Sequence, residues 1–263
     1  MALSLETATA VITGGVSGLG YAVAKLIVKK GGQVALLDLD RERGEQTAQT
    51  LGDRALFTYC DVTSEERIDQ AVAETIEQFG EINLAVNCAG IVSGHRVVGR
   101  EEVISADDFK RHIDINLTGT FLVCRSVANA MQFNQPRGED KARGVIVNTA
   151  SIAAFDGQIG QVSYAASKGG VASMTLPLAR EFAVFGVRVV AIAPGVFATP
   201  MFGHYPESAR QGLVADTPYP QRAGDPDEFA ALVAHIYENP MLNGEVIRLD
   251  GALRMPPKIG NHE

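Results

Sequence analysis

Short β-favouring apolar runs alternate along this chain with longer stretches of helical periodicity, and no other feature restricts its fold as much. The runs are Ala8–Ile12, Val34–Leu37, Ala55–Tyr59, Leu84–Asn87, Val145–Asn148, Val187–Ile192 and Glu245–Leu249. Most are apolar at successive positions, the mark of strands covered on both faces. Between them the apolar spacing predicts helices over roughly 18–30, 41–51, 65–79, 106–132, 162–185 and 226–237. Strands alternating with helices pair in parallel through right-handed crossovers. The expected fold is therefore α/β: a Rossmann-type doubly wound parallel sheet of about seven strands with helices on both faces. Gly31-Gly32 should stop the first helix, Ser64 with Glu65 and Glu66 should start the third, and Pro177 predicts a kink in the fifth.

No internal repeat or linker divides the 263 residues, so one domain spanning 1–263 is expected. Hydrophobic residues at 46% and charged residues at 21% exclude a disordered chain or a coiled coil. A chain this long buries a core without metal or disulfide. Its formal charge of −8, with no basic block, argues against nucleic acid or an anionic membrane as partner. Cys60, Cys88 and Cys124 are odd in number and form no C-x-x-C pair, which suits a reducing compartment. His95, His112, His204, His235 and His262 lack ligand spacing, so no metal site is expected. The opening residues carry no leader pattern, and no apolar run reaches the ~20 residues of a membrane span, so the expected location is the cytoplasm. Two segments, 91–105 and the proline-rich 195–226, read as long loops leaving the carboxyl edge of the strands, where such sheets bind ligands.

The first strand runs into Thr13-Gly14-Gly15-Val16-Ser17-Gly18-Leu19-Gly20. A backbone that turns sharply, approaches a pyrophosphate and enters a helix with its N–H groups facing the anion needs glycine at such spacing. Gly14, Gly18 and Gly20 suit those tasks, and Ser17 and Leu19 can add a hydroxyl and an N–H. Glycine clusters are common in tight turns; the context of a preceding strand, a following helix and a second strand ending in an acid gives this one its meaning. That acid is Asp38, eighteen residues beyond Gly20. Its carboxylate suits ribose hydroxyls and repels a 2′-phosphate, which predicts NAD(H) over NADP(H). Arg41 and Arg43 lie close by, and Asp40 reads as a turn residue. Asn87-Cys88-Ala89-Gly90 ends the fourth strand beside the pyrophosphate, and Cys88 reads as a packing residue rather than a nucleophile.

The strongest signal for chemistry is Tyr164-Ala165-Ala166-Ser167-Lys168. Positions i and i+4 share a helix face, so phenol and ammonium point the same way. A cation about 4 Å away at an effective dielectric of ~20 contributes about 4 kcal/mol. That lowers a phenol pKa by up to about three units and permits proton exchange near pH 7. Ser151, thirteen residues before Tyr164, can hold the same substrate oxygen. Asn116, predicted mid-helix where Asn is disfavoured, can hold a water that links Lys168 to solvent. Taken singly these are ordinary surface and strand-end residues; their joint spacing after the glycine turn is what carries the signal. No G-x-S-x-G elbow or G-K-[ST] loop supports a hydrolase or phosphotransferase.

With TGGVSGLG, the Asp38 strand end, NCAG, INLTGTF, NTAS, YAASK and AIAPGVFATP in this order, the chain resembles the short-chain dehydrogenase/reductase family. Within it, CDVTSEE, GVIVNTASIAAFDGQIGQVSYAASKGG and NPMLNGEVIRLDGALRMPP resemble the type 2 3-hydroxyacyl-CoA dehydrogenases, also called 17β-hydroxysteroid dehydrogenases. The two long loops depart most from that pattern. The resemblance implies Tyr164 as proton donor or acceptor, Ser151 as substrate-oxygen partner, Lys168 on the ribose and Asn116 in the relay. It implies NAD contacts at Ser17, Leu19, Asp38, Asp61, Val62, Cys88, Phe197 and Thr199, with Ala89 and Gly90 beside them, and a substrate contact at Gln161. It also implies a homotetramer and a place in fatty acid metabolism. A 3-hydroxyacyl-CoA is the expected substrate, with His95, Arg96 and Arg100 as local charges for CoA phosphates. A hydroxysteroid or other hydrophobic alcohol, suited to Val196, Phe197, Met201, Phe202, Leu213 and Val214, stays open. An NAD-binding scaffold without catalysis is the alternative of another class.

Overall fold

Successive strand residues face opposite sides of a sheet, so runs that are apolar throughout need cover on both sides. In a computed structural model describing residues 3–100, 103–203 and 206–258, the seven strands are β1 (Thr9–Thr13), β2 (Gln33–Asp38), β3 (Ala55–Tyr59), β4 (Leu84–Asn87), β5 (Gly144–Thr149), β6 (Val187–Pro194) and β7 (Val246–Leu249). They form one sheet in the order β3-β2-β1-β4-β5-β6-β7, and every pairing is parallel. The helices are α1 (Gly18–Lys29), α2 (Arg41–Leu51), α3 (Glu65–Phe79), α4 (Ala106–His112), α5 (Thr120–Met131), α6 (Val162–Phe182), α7 (Pro200–Gly203), α8 (Glu207–Ala215) and α9 (Pro226–Glu238).

Ala10, Ile12, Val34, Leu36, Val145 and Val147 face one side, against Val23 and Ile27 of α1 and Phe229, Val233 and Tyr237 of α9. Val11, Ala35, Leu37 and Ile146 face the other, against Ile68 and Val72 of α3, Val123 and Val127 of α5 and Leu178 of α6. Each large side chain so buried contributes roughly 1.5–3 kcal/mol. The phenol of buried Tyr237 donates 2.8 Å to Asn83 Oδ1. The same amide oxygen accepts the backbone N–H of Thr9 at 2.9 Å, which ties β1 and α9 to the residue that leads into β4.

Most strand and helix ends fall within two residues of those predicted; α6 closes at Phe182, three residues before 185, where a 3₁₀ turn Ala183–Phe185 follows, and two other stretches differ more. The stretch expected as one helix over 106–132 is α4, a π-helical turn Ile113–Gly119, and α5. The π turn shifts the hydrogen-bond register without disturbing the apolar pattern. The stretch 195–226 is not all loop: it contains α7 and α8, begun at Pro200 and just after Pro206. Proline at a first turn is compatible with helix, but the sequence pattern reads it as a breaker. The helix at Pro177 continues from Val162 to Phe182. Ser64 caps α3 as expected, accepting from Arg67 N–H, and Asp40 caps α2. His204 and His262 lie outside the described residues.

Cys60, Cys88 and Cys124 are free thiols. Burial pushes them up to about 12, 11 and 12 respectively. The unfolded chain releases these protons near pH 9 while the native state keeps them, so stability is present below pH 9 and declines above it. Lys168, lowered to about 8 by burial, works against this with one proton. Urea unfolding should therefore lose roughly 2 kcal/mol between pH 9 and pH 10, and Cys124→Ala should flatten that slope while lowering stability at pH 7.

Candidate active site

The carboxyl ends of the strands open onto a cleft of about 1020 Å³. At one side β1 passes into the glycine turn, where Gly14 N–H donates 2.8 Å to the carbonyl of Leu37. Gly14 and Gly18 have φ of +62° and +51°, a region that favours glycine. At Gly20 the requirement is steric, because a Cβ would stand 2.3 Å from the carbonyl oxygen of Gly14. Ser17 starts α1 without spending its hydroxyl on a capping bond. Ser17, Gly18, Leu19 and Gly20 all line the cleft, so a helix N-terminus and a free hydroxyl meet there, as an anion requires.

Asp38, at the end of β2, accepts the N–H groups of Leu39 and Asp40 through Oδ1, at 2.8 and 3.2 Å. Asp61 accepts both the N–H and the hydroxyl of Thr63. Val62 packs on Gly119 of the π turn, where a Cβ would lie 2.9 Å from its Cγ2. Asp38, Asp61, Val62, Cys88, Ala89 and Gly90 line the same cleft, as do Phe197 and Thr199 opposite. Phe197 is anchored edge-on to Phe229, centroids 6.4 Å apart. The turn, the carboxylate and the strand ends fit a dinucleotide. Arg41 lies over the ring of Tyr59 at 4.1 Å, and neither it nor Arg43 is among the cleft residues.

Ser151 follows β5, is buried, and its Oγ accepts Ala153 N–H at 3.1 Å. Its own proton remains to be donated. Tyr164 and Lys168 lie in the first two turns of α6, and the ammonium is 5.9 Å from the centroid of the phenol ring. Lys168 is 5% exposed, and its Nζ donates 2.7 Å to the carbonyl of Thr149 at the end of β5. Burial lowers its pKa to about 8, and the nearby Cys88 works in the opposite sense. Gln161, just before α6, accepts Gln158 N–H at 3.1 Å through Oε1. Ser151, Gln161, Tyr164 and Lys168 all line the cleft.

Asn116 does not line it. It is fully buried in the π turn. Its Oδ1 accepts Ile91 N–H at 2.8 Å, and its Nδ2 donates to Ile91 O and Ser167 Oγ. The polar side chain flagged in the sequence thus ties the segment after β4 to α6. His95, Arg96 and Arg100 do not line the cleft, whereas Lys110 and Arg111 do. Sequence reasoning passed over these two, along with Gln158, Ile91, Val92 and Met255, which join the lining only through loop packing. Among the described residues, no group of three His, Cys, Asp or Glu is placed to hold a metal, and no helix is long and apolar enough to cross a membrane.

A family model described as short chain dehydrogenase matches residues 8–210. The 3-hydroxyacyl-CoA dehydrogenase type-2 of Rattus norvegicus is 50% identical over 256 residues, 97% of this chain and 98% of its own length. The ipsdienol dehydrogenase of Ips pini is 33% identical over 97% of this chain and all of its own length. The crystal structure of 3-hydroxyacyl-CoA dehydrogenase type-2 from Mycobacterium avium superposes with a TM-score of 0.90 at 41% identity, covering 96% of this chain and 98% of that one.

The clash at Gly20 gives a direct test of the turn. Gly20→Ala should weaken binding of a reduced nicotinamide nucleotide at least about 100-fold by fluorescence titration, because α1 cannot keep its place against Gly14. Far-ultraviolet circular dichroism should stay close to that of the unaltered protein.

Proposed function

The chain belongs to the short-chain dehydrogenase family, and on that footing we propose that it transfers a hydride between NAD(H) and a secondary alcohol, with a 3-hydroxyacyl-CoA and its 3-ketoacyl-CoA as the pair. The observation that carries this reading is the convergence of Ser151, Tyr164 and Lys168 on the cleft that also holds the glycine turn and Asp38. Relatives about 50% identical along nearly their whole length bear the name 3-hydroxyacyl-CoA dehydrogenase type-2. The whole chain acts as one catalytic domain, with a substrate loop around 195–226.

Gly14, Ser17, Gly18, Leu19 and Gly20 would hold the pyrophosphate, Asp38 the adenosine ribose, and Asp61 and Val62 the adenine. Cys88, Ala89, Gly90, Phe197 and Thr199 would flank the nicotinamide half. Asp38, with Arg41 drawn onto Tyr59, favours NAD(H) over NADP(H). When bound, the nicotinamide supplies the acceptor or donor of the hydride. Ser151 donates a hydrogen bond to the substrate oxygen and keeps its proton, and Tyr164 takes or returns the proton that this oxygen exchanges. Lys168 keeps one N–H on Thr149 and offers the others to the ribose, while its charge favours Tyr164 giving up its proton. Asn116 keeps Gly90 and Ile91 in place beside that ammonium. Lys110 and Arg111 are the cleft's cations for CoA phosphates.

The protein acts in the cytoplasm as a homotetramer. Phe109, Phe121, Val162 and Leu176, exposed on α4, α5 and α6, supply apolar surface for subunit contact. A hydrophobic alcohol without CoA is the second reading, favoured by the apolar loop residues Met201, Phe202 and Leu213 in the lining and by the relative named for ipsdienol.

NADH oxidation with acetoacetyl-CoA, run beside NADPH and a panel of steroids and small ketones, tests the assignment. Turnover is expected with acetoacetyl-CoA and NADH; turnover of the panel alone would move the assignment to the second reading. Tyr164→Phe should retain NADH binding and lower kcat at least about 1000-fold. The ammonium of Lys168 exists below its pKa of about 8 and is lost as pH rises through it. Consequently kcat/KM for ketone reduction should fall above pH 8, by up to about tenfold per unit. Lys168→Met should show low activity without that break.

A further inference from the structure

A serine–histidine–aspartate cluster with a buried histidine at its centre lies beside the segment that follows β4, apart from the residues assigned to the reaction. His112, the last residue of α4, is 1% exposed. Its Nδ1 stands 2.8 Å from the carbonyl oxygen of Asp108, one turn back. A carbonyl only accepts, so Nδ1 carries a proton toward it, and Nε2 is hydrogen-bonded to the Ser93 hydroxyl at 3.1 Å. Asp108 Oδ2 is buried without a hydrogen bond and sits 3.6 Å from Nδ1 of His112. Its Oδ1 is 3.8 Å from Nδ1 of His95.

The segment that this cluster grips is a wall of the cleft. Ile91 and Val92 line it. At one end a Cβ on Gly90 would lie 3.6 Å from the ammonium of Lys168. At the other, a Cβ on Gly160 would meet the carbonyl carbon of Gly94 at 3.6 Å, so the wall closes on the loop that carries Gln158 and Gln161. Among the described residues, 91–96 take part in no backbone-to-backbone hydrogen bond. Their course instead depends on two side-chain anchors, Asn116 on Ile91 and His112 on Ser93. Ser93 does not line the cleft, so the cluster works by position and not by nucleophilic attack.

We propose that His112 is a positioning residue: with Asp108 behind it, it latches Ser93, holds the 91–95 wall against the loop at Gly160, and so sets the affinity of the cleft for its acyl substrate. The inference rests on the proposed acyl-CoA reading only for the choice of substrate. Ser93→Ala and His112→Val should each raise KM for acetoacetyl-CoA at least about five-fold, with kcat and the NADH Kd within about two-fold of the unaltered protein. The double variant should be no worse than the worse single one, because both remove one bond. His112→Gln, which keeps an amide in reach of Ser93, should recover most of the loss.

Hydrogen exchange of the Ile91 amide, which is bonded to Asn116, measured without substrate, should quicken in Ser93→Ala. Quickened exchange in a protein that leaves acetoacetyl-CoA untouched would sink the substrate assignment and keep the latch. Unchanged exchange, unchanged KM in Ser93→Ala, additive losses, or a parallel loss of NADH binding would each overturn it. Ser93→Ala removes a single oxygen and decides the matter if His112→Val does not fold.

Discussion

A lysine ammonium buried under the strand ends is the charge around which the site is built. Moving Lys168 from water to a position 5% exposed lowers its pKa from 10.5 to about 8, a cost of roughly 3 kcal/mol to the charged form. That cost is felt in full below pH 8 and is relieved as pH rises toward 10.5. The fold offsets it with the carbonyl of Thr149 at 2.7 Å and holds the charge 5.9 Å from the Tyr164 ring. A more exposed lysine would cost less, and its field at the phenol would be screened by water. The site accepts lower stability in exchange for a charge that acts at close range.

The parallel sheet brings the other groups to that charge. With every strand running the same way, all carboxyl ends meet at one edge, so Thr13, Asp38, Asn87 and Thr149 finish close to one another. The strand order places β1 beside both β2 and β4, and the crevice between the two halves opens where successive connections leave in opposite directions. Two rigid helix starts, at Gly18 and Val162, then present the glycine turn and the Tyr164–Lys168 pair from opposite sides. Asn116 and His112 brace the segment between them, which has no strand or helix of its own.

Much of this was visible in the residues before any coordinates. Runs such as Val11–Ile12 and Val145–Val147 are apolar at every position, and a two-sided core is the only place such strands are stable. The turn at Gly14–Gly20 was readable because Gly14 and Gly18 take positive φ and Gly20 lies against the carbonyl of Gly14, constraints of local backbone geometry that favour glycine. The π turn at Ile113–Gly119 was not readable: an extra residue per turn alters hydrogen bonding and leaves the order of polar and apolar residues unchanged. α7 and α8 were hidden by Pro200 and Pro206, which look like breakers until their place at the start of a turn is known. Asn116 stood out as a polar residue in an apolar helix, but its partner is Ile91, twenty-five positions away.

The sequence by itself determined the local geometry: which segments are strands, where the dinucleotide turn lies, and that Tyr164 and Lys168 share a helix face. These follow from side-chain periodicity and short-range sterics, which act within a few residues. Only the tertiary structure decided that Lys168 is buried enough to lose two to three units of basicity, that Lys110 and Arg111 rather than His95, Arg96 and Arg100 line the cleft, and that His112 grips Ser93. Desolvation and loop anchoring depend on what distant segments bring to the same place, and no local pattern carries that information.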